Sequence, residues 1–190
     1  MDYIKSLIGQ DAIEEREFEL AREIHRDYKD KKPVIICILK GAIYFFTDLT
    51  RKLDIDCELD FMRVSSYEGE ESKGKLEIKI DLDTDIKDRD VIIVEDIIDT
   101  GLTLSELKKY LEGKGAKSVN VCCLLDKPDR RKVDDINPEY VGFTIPNEFV
   151  IGYGLDYNEA YRTIPFVGVL THDKEKEPQK SLVRKKTRNI

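Results

Sequence analysis

The 190-residue sequence predicts an α/β fold: a mainly parallel sheet flanked by helices, with a small hood subdomain. Three observations carry this. Short aliphatic runs at residues 34–39, 91–94 and 118–125 are β-branched and too short for independent helices, so they read as buried strands. Segments with helical spacing of apolar residues lie between them. Glycines and acids gather where the runs give way to helices, which in an open parallel sheet is where ligands bind.

Taken in order, residues 11–28 place Ile13, Phe18, Ala21, Ile24 and Tyr28 near one face, with charges elsewhere. That is a helix covering the sheet, ended by Lys31-Lys32-Pro33. Residues 34–39 form a buried strand, 42–53 a helix, and 57–66 alternate enough for a strand. Residues 67–75 are polar and glycine-punctuated without apolar anchors, which predicts a flexible loop over 65–75. Residues 76–80 alternate apolar and charged and read as the return strand of a hairpin. The strand from Val91 leads into a helix over 102–111, ended near Gly113 and Gly115. A strand over 118–125 follows. Residues 126–162 are turn-rich with brief strands and are expected to supply most of the hood, and 164–170 a final strand. Residues 1–170 thus read as one domain. Beyond it, Lys180, Arg184, Lys185, Lys186 and Arg188 make 171–190 a basic, flexible tail, with a partner-docking arm as the alternative. There is no internal repeat.

Composition narrows the function classes. A charged fraction of 37% beside 41% hydrophobic residues indicates a soluble globular chain, not a disordered one. The net charge of −7 argues against general nucleic-acid affinity, because phosphate contacts need a Lys/Arg surplus, though a local basic pocket is allowed. No apolar run approaches the roughly 18 residues of a membrane span. The start, M-D-Y-I-K-S, lacks a cationic segment leading into an apolar one, so a cytoplasmic location is expected over secretion. Cys37, Cys57, Cys122 and Cys123 form no C-x-x-C pair; buried reduced thiols are the favoured reading, zinc a poor second. Neither His25 nor His172 has a partner pattern, so neither is assigned a catalytic role.

Chemistry concentrates in V-I-I-V-E-D-I-I-D-T-G-L-T, from Val91 to Thr103. Glu95 and Asp96 follow the apolar run at the strand's carboxyl end, and Asp99-Thr100-Gly101 turns into the helix. A helix N-terminus offers unpaired N–H groups and partial positive charge, which suits a phosphate. Acids beside such a turn make sense if Mg²⁺ or a ribose diol lies between them. The blander alternative makes Asp99 and Thr100 a cap and the acids solvated strand-end charges. For a lone D-T-G that alternative wins; the full assembly is far more specific. It is not a P-loop, since no G-x-x-x-x-G-K-[ST] occurs.

Three further groups gain weight beside it. Lys40-Gly41 also lies between a strand and a helix; alone it would be a turn with a surface lysine. The stretch F-V-I-G-Y-G-L-D-Y-N-E-A-Y-R, from Phe149 to Arg162, carries three tyrosines around two glycines. Packed aromatics explain the tyrosines but not Asp156 and Arg162. Phe149 could stack on a flat base, and Arg162 could grip a diphosphate with its planar fork. Lys127 is by default a solvated lysine before Pro128; its functional alternative is a donor aimed at a carbonyl.

L-K-G, S-Y at Ser66-Tyr67, V-E-D-I-I-D-T-G, L-L-D-K and F-V-I-G-Y-G-L-D-Y-N-E-x-x-R occur in this order. The chain therefore resembles the hypoxanthine-guanine branch of the type I phosphoribosyltransferases over about residues 5–170. Ala42, a second glycine in some relatives, is a small departure. The resemblance implies the type I phosphoribosyltransferase fold, purine salvage from 5-phosphoribosyl diphosphate (PRPP), Mg²⁺ as cofactor, and a homo-oligomer, dimer or tetramer. Its substrates would be PRPP with hypoxanthine or guanine, giving IMP or GMP and pyrophosphate, with no nucleic-acid or membrane partner.

Residue by residue, the resemblance puts the backbone at Lys40-Gly41 and the side chain of Arg162 on pyrophosphate. Glu95 and Asp96 serve the ribose hydroxyls and the metal. Asp99, Thr100, Gly101, Leu102 and Thr103 cradle the 5′-phosphate. Asp99 exchanges a proton with purine N7 as general base or acid. Ile98, Lys127, Phe149, Val150 and Asp156 belong to the purine end: Lys127 donates to O6, Phe149 stacks, Val150 reads the edge through its backbone, and Asp156 supports a second Mg²⁺ through water. Ser66 and Tyr67 belong to the loop, and the Leu39–Lys40 peptide is cis. Lys127 would reject adenine, whose 6-amino group meets the ammonium donor to donor. Two rivals stand beside this reading. One is a transferase for xanthine, orotate or uracil, against which Lys127 and Phe149 argue. The other is an RNA-binding regulator on the same fold, supported only by the basic tail.

Overall fold

The computed structural model describes residues 3–66 and 76–171. Tyr67, the rest of the expected loop to residue 75, and the basic tail after Thr171 lie outside the described residues.

Strands β2 (Val34–Ile38), β3 (Glu58–Ser66), β4 (Leu76–Ile80), β5 (Asp90–Ile98), β6 (Ser118–Asp126) and β7 (Tyr140–Thr144) build the main sheet in the order β4-β3-β2-β5-β6-β7. All neighbours are parallel except β4, which closes one edge antiparallel to β3. All five residues of β2 are buried, as are the first four aliphatic residues of β5 after Asp90. Helices cover both faces of these strands, which is why they read as continuous apolar runs and not as alternation.

Period-two side-chain direction splits the runs between two cores. Ile35, Cys37, Ile92 and Cys122 pack under α1 (Gln10–Tyr28) and α2 (Ile43–Thr50), against Leu20, Ile24 and Phe45. Val34, Ile36, Ile93 and Val121 pack under α3 (Leu102–Gly113), against Leu104, Leu107 and Leu111. Each large apolar side chain so buried stabilises the fold by about 1.5–3 kcal/mol. Cys37, Cys122 and Cys123 are fully buried free thiols, Cys57 lies half-buried at the rim, and burial pushes all four thiols up.

A separate three-stranded antiparallel sheet has the order β1-β9-β8, from β1 (Tyr3–Ile8), β9 (Val167–Thr171) and β8 (Val150–Ile151). Only β8 comes from the segment expected to form the hood. The strand at Tyr3–Ile8 has no counterpart in the sequence reading, since six residues without strict alternation give no periodic signal. Its partner is β9, more than 160 residues away in sequence, as the Tyr3–Thr171 pairing shows.

One difference bears on the site. The strand expected to end before Glu95 continues to Ile98, so both acids lie within β5. The cause is β6, which runs to Asp126 and pairs Glu95 with Cys123, Ile97 with Leu125 and Ile98 with Asp126. The sheet's order reverses between β2 and β5: from β2 the chain moves outward to β3 and β4, then returns to β5 on the other side. The carboxyl ends of β2 and β5 therefore border a crevice.

Candidate active site

The crevice holds a cavity of about 450 Å³, lined by Ile38 at the end of β2 and Leu39 after it, Val64 and Ser65 from β3, and residues of the chain from Glu95 to Leu104, Leu102 excepted. A larger cavity of about 710 Å³ lies under α1 and α2, away from these strand ends. The smaller one has the chemistry.

At its floor, β5 passes into α3 through Asp99, Thr100 and Gly101. Gly101 has φ of 78°, and a Cβ there would sit 2.8 Å from Val133 Cγ2 and 2.9 Å from Arg131 Cδ, so only glycine fits. The following segment locks the turn: Lys132 N–H donates to the Thr100 carbonyl at 2.9 Å, and Arg131 is held by Asp126. Ser105 N–H makes the first bond of α3, to Gly101 at 2.9 Å, which leaves the amides of Leu102, Thr103 and Leu104 without an intrahelical acceptor. No side chain caps this end and no acid lies in its first turn. Unpaired amides at the positive end of a three-turn helix form an anion cradle.

Above the cradle, burial pushes the Glu95 carboxyl well above its usual range, and Asp96 beside it adds repulsion. Burial also pushes Asp96 up, to about 6, against the opposing pull of its hydrogen bond from Ile97 N–H (2.7 Å) and of Arg162. Among the described residues neither acid is in a salt bridge. No described group of three or more His, Cys, Asp or Glu is arranged as a protein-only metal cage. Two carboxylates in want of a cation, open to the cavity, match the way Mg²⁺ is held by one or two carboxylates plus substrate oxygens.

Across the crevice, the peptide between Leu39 and Lys40 is cis. Gly41 abuts Asp96: a Cβ there would lie 1.6 Å from its Oδ2. Gly154, with φ of 101°, abuts Gly41 in turn, since its Cβ would lie 1.9 Å from the Gly41 carbonyl oxygen. Arg162 ties this wall together. Its Nη1 donates to the Gly154 carbonyl at 2.7 Å, its Nη2 pairs with Asp156 at 2.8 Å, and its buried Nε has no partner. Lys40 pairs with Glu159 at 2.9 Å.

The other end is built on β6. Lys127 is only 6% exposed, which excludes the solvated alternative, and its Nζ donates to the Glu148 carbonyl at 2.7 Å. Burial lowers its pKa, while Asp99 opposes that. Its own N–H is held by the Ile98 carbonyl at 3.0 Å. Phe149 is 56% exposed and meets Tyr157 edge-on, with ring centroids 5.7 Å apart, so one face of an aromatic ring stays available. Val150 is buried in β8. Asp99 is engaged by Arg130 at 2.8 Å.

A phosphoribosyl transferase domain model matches residues 9–158. The chain belongs to the phosphoribosyltransferase family. The hypoxanthine-guanine phosphoribosyltransferase of Lactococcus lactis subsp. lactis is 49% identical over 167 residues, 87% of this chain and 90% of that one. A crystal structure of the Bacillus anthracis hypoxanthine-guanine phosphoribosyltransferase covers 90% of this chain and 99% of its own at 44% identity and a TM-score of 0.84. A Staphylococcus aureus hypoxanthine phosphoribosyltransferase reaches the same TM-score at 43% identity, covering 88% and 91%.

As a phosphoribosyltransferase, the chain brings together most of what its sequence singles out. Glu95, Asp96, Ile98, Asp99, Thr100, Gly101 and Thr103 line one cavity, while the side chain of Leu102 faces away, 39% exposed. Gly41 abuts the cavity through Asp96, and Lys40, Asp156 and Arg162 lie behind Gly41 and not on the lining. Lys127, Phe149 and Val150 cluster beyond Ile98. Ser65 and Ser66, expected in the loop, instead end β3, paired with Glu77 and Leu76 of β4 because the hairpin's ladder runs on to its last described residues, and Tyr67 lies outside the described residues. Three groups escaped sequence reasoning: Arg130 on Asp99, the Asp126–Arg131 pair behind Gly101, and the carboxylates around Tyr153. Charged residues on a turn or helix look alike whether solvated or paired. The only available signal was R-R following L-L-D-K.

Proposed function

We propose that this phosphoribosyltransferase transfers the 5-phosphoribosyl group of PRPP to hypoxanthine or guanine, forming IMP or GMP and pyrophosphate in purine salvage. The buried Lys127 carries the base assignment: its ammonium, next to exposed Phe149 and within the field of Asp99, supplies a donor for O6. The relatives named for hypoxanthine and guanine support the same reading.

The reaction breaks the bond between C1′ and pyrophosphate oxygen and forms one from C1′ to purine nitrogen. Positive charge grows on the ribose and negative charge on the leaving group. The amides of Leu102, Thr103 and Leu104 hold the 5′-phosphate, so the ribose sits over Glu95 and Asp96, which accept from its hydroxyls and favour the positive charge. The backbone at Gly41 and the fork of Arg162 take the pyrophosphate; Arg162 keeps its bond to the Gly154 carbonyl and exchanges Asp156 for diphosphate oxygens. Asp99 accepts the proton that purine N7 loses, released for the purpose from Arg130. Lys127 donates to O6, Phe149 stacks on the ring, and the Val150 backbone reads its edge.

Glu95, Asp96 and, through water, Asp156 would hold Mg²⁺. When bound, it neutralises diphosphate charge and makes pyrophosphate a better leaving group.

Exposed Leu59 and Phe61 on β3 and Ile80 on β4 give this edge of the sheet an apolar face suited to a homo-oligomer, dimer or tetramer. A cytoplasmic location agrees with the reduced, buried thiols. No helix among the described residues is long and apolar enough to cross a membrane.

The test is a panel of free bases (hypoxanthine, guanine, xanthine, adenine, orotate, uracil) incubated with PRPP and Mg²⁺ and read by nucleotide formation, beside RNA filter binding. Turnover confined to the 6-oxopurines is expected. Orotate or uracil turnover, or RNA retention without turnover, would overthrow the reading.

A further inference from the structure

Tyr153 lies 8% exposed in the turn between β8 and Arg162, with φ of 49°. Its hydroxyl is 2.5 Å from Glu17 Oε1 on α1 and 2.6 Å from Asp48 Oδ2 on α2. Glu17 is itself only 2% exposed, and its other oxygen accepts from Lys52 Nζ at 2.8 Å. A buried carboxylate is costly unless it is paired, so this knot is maintained for some gain.

None of the four groups lines the crevice; they lie on the larger cavity beneath the helices. What they hold is the reverse side of the crevice wall. Tyr153 N–H donates to the Ile164 carbonyl at 2.8 Å, and Gly154 N–H to the Arg162 carbonyl at 2.9 Å. The Gly154 carbonyl accepts from Arg162 Nη1, and its α-carbon presses on the Gly41 carbonyl. One residue therefore joins two helices to both groups that face pyrophosphate.

We infer that Tyr153 is a positioning residue for the pyrophosphate end of the site, its hydroxyl clamping the 152–154 turn to α1 and α2 and thereby fixing Gly41 and Arg162. The ring alone would fill the space; the hydroxyl adds direction, because one donor shared between two carboxylates on different helices fixes where the turn stands. Displacing a positioned group by about 1 Å can cost on the order of 10²-fold in rate, so a smaller shift is felt first in binding. The clamp makes no bond to Lys127, Phe149 or Asp99, so at the purine end only Val150 and Asp156, which adjoin the turn and Arg162, feel it, and the effect there is the smaller one.

The inference rests on the assignment of Gly41 and Arg162 to pyrophosphate, and the test separates the two. Steady-state kinetics with guanine and PRPP are compared for the wild type, Tyr153→Phe, Asp48→Asn and Arg162→Gln. Tyr153→Phe is expected to raise the KM for PRPP about tenfold while the KM for guanine stays within about twofold. Asp48→Asn, half-buried and gentler on folding, shifts the same ratio in the same direction by less. If both leave the ratio of the two KM values at its wild-type level while Arg162→Gln raises it, Tyr153 only stabilises the fold and the inference falls. If Arg162→Gln also leaves it unchanged, the pyrophosphate assignment falls with it. Should Tyr153→Phe fail to fold, the Asp48→Asn ratio decides alone.

Discussion

At Lys127, burial and charge meet one substrate atom. An ammonium 6% exposed, with one proton on the Glu148 carbonyl, keeps two further donors for a ligand. Lys127→Met preserves length and apolar stem but leaves O6 unpaired in a desolvated pocket, at about 1–3 kcal/mol or more. Catalytic efficiency with guanine and hypoxanthine should fall by roughly tenfold or more, and discrimination against adenine should shrink. An unchanged guanine-to-adenine ratio in competition assays would remove Lys127 from base choice. The sequence alone left this residue open, since a lysine before proline looks the same solvated or buried. Glu95, Asp96 and the D-T-G turn were legible because a strand end, an acid pair and a glycine turn need each other in sequence. Arg130, which engages Asp99 from 31 residues away, was not, because tertiary pairing leaves no local pattern.

The elements were legible where periodicity spoke. The buried runs of β2, β5 and β6 lie where their patterns place them. The stripe of α1 holds at Ile13, Ala21, Ile24 and Tyr28 but fails at Phe18, which is exposed while Glu17 beside it is buried in its ion pair with Lys52. β1 and β8 do not announce themselves, being short and paired only through β9. The turn after β8 shows what such silence conceals. Gly154 reads as one more glycine, yet its left-handed φ and its contact with the Gly41 carbonyl leave no room for a Cβ. Gly154→Ala combines about 1–2 kcal/mol of backbone strain with about 1–3 kcal/mol of overpacking. The urea midpoint should fall while the slope m holds, and the KM for PRPP should rise. A midpoint within error of the wild type would show that the two turns are not in register.

Across the whole molecule, site chemistry is set against stability. Burial pushes Asp96 from its ordinary value near 4 up to about 6, so the native state binds a proton that the unfolded chain releases within that window. The stability it contributes is complete below the ordinary value and is lost as pH rises through about 6. Asn at this position cannot ionise and keeps an acceptor for Ile97 N–H. Asp96→Asn should therefore be more stable than the wild type at pH 8, with the gap closing towards pH 4, while turnover drops. A gap that does not change with pH would show that the carboxyl is not held protonated by burial.

The fully buried thiols give the molecule an internal clock. Cys37, Cys122 and Cys123 lie beneath helices on strands at the centre of the sheet, and burial holds them as unreactive thiols. An alkylating reagent can reach them only when the sheet itself opens, whereas Cys57 at the rim needs a local opening at most. Mass-resolved labelling should add one tag quickly and the remaining three slowly and together. The slow rate reads how often the central strands part, without any denaturant, and ligands that seal the crevice should lengthen it.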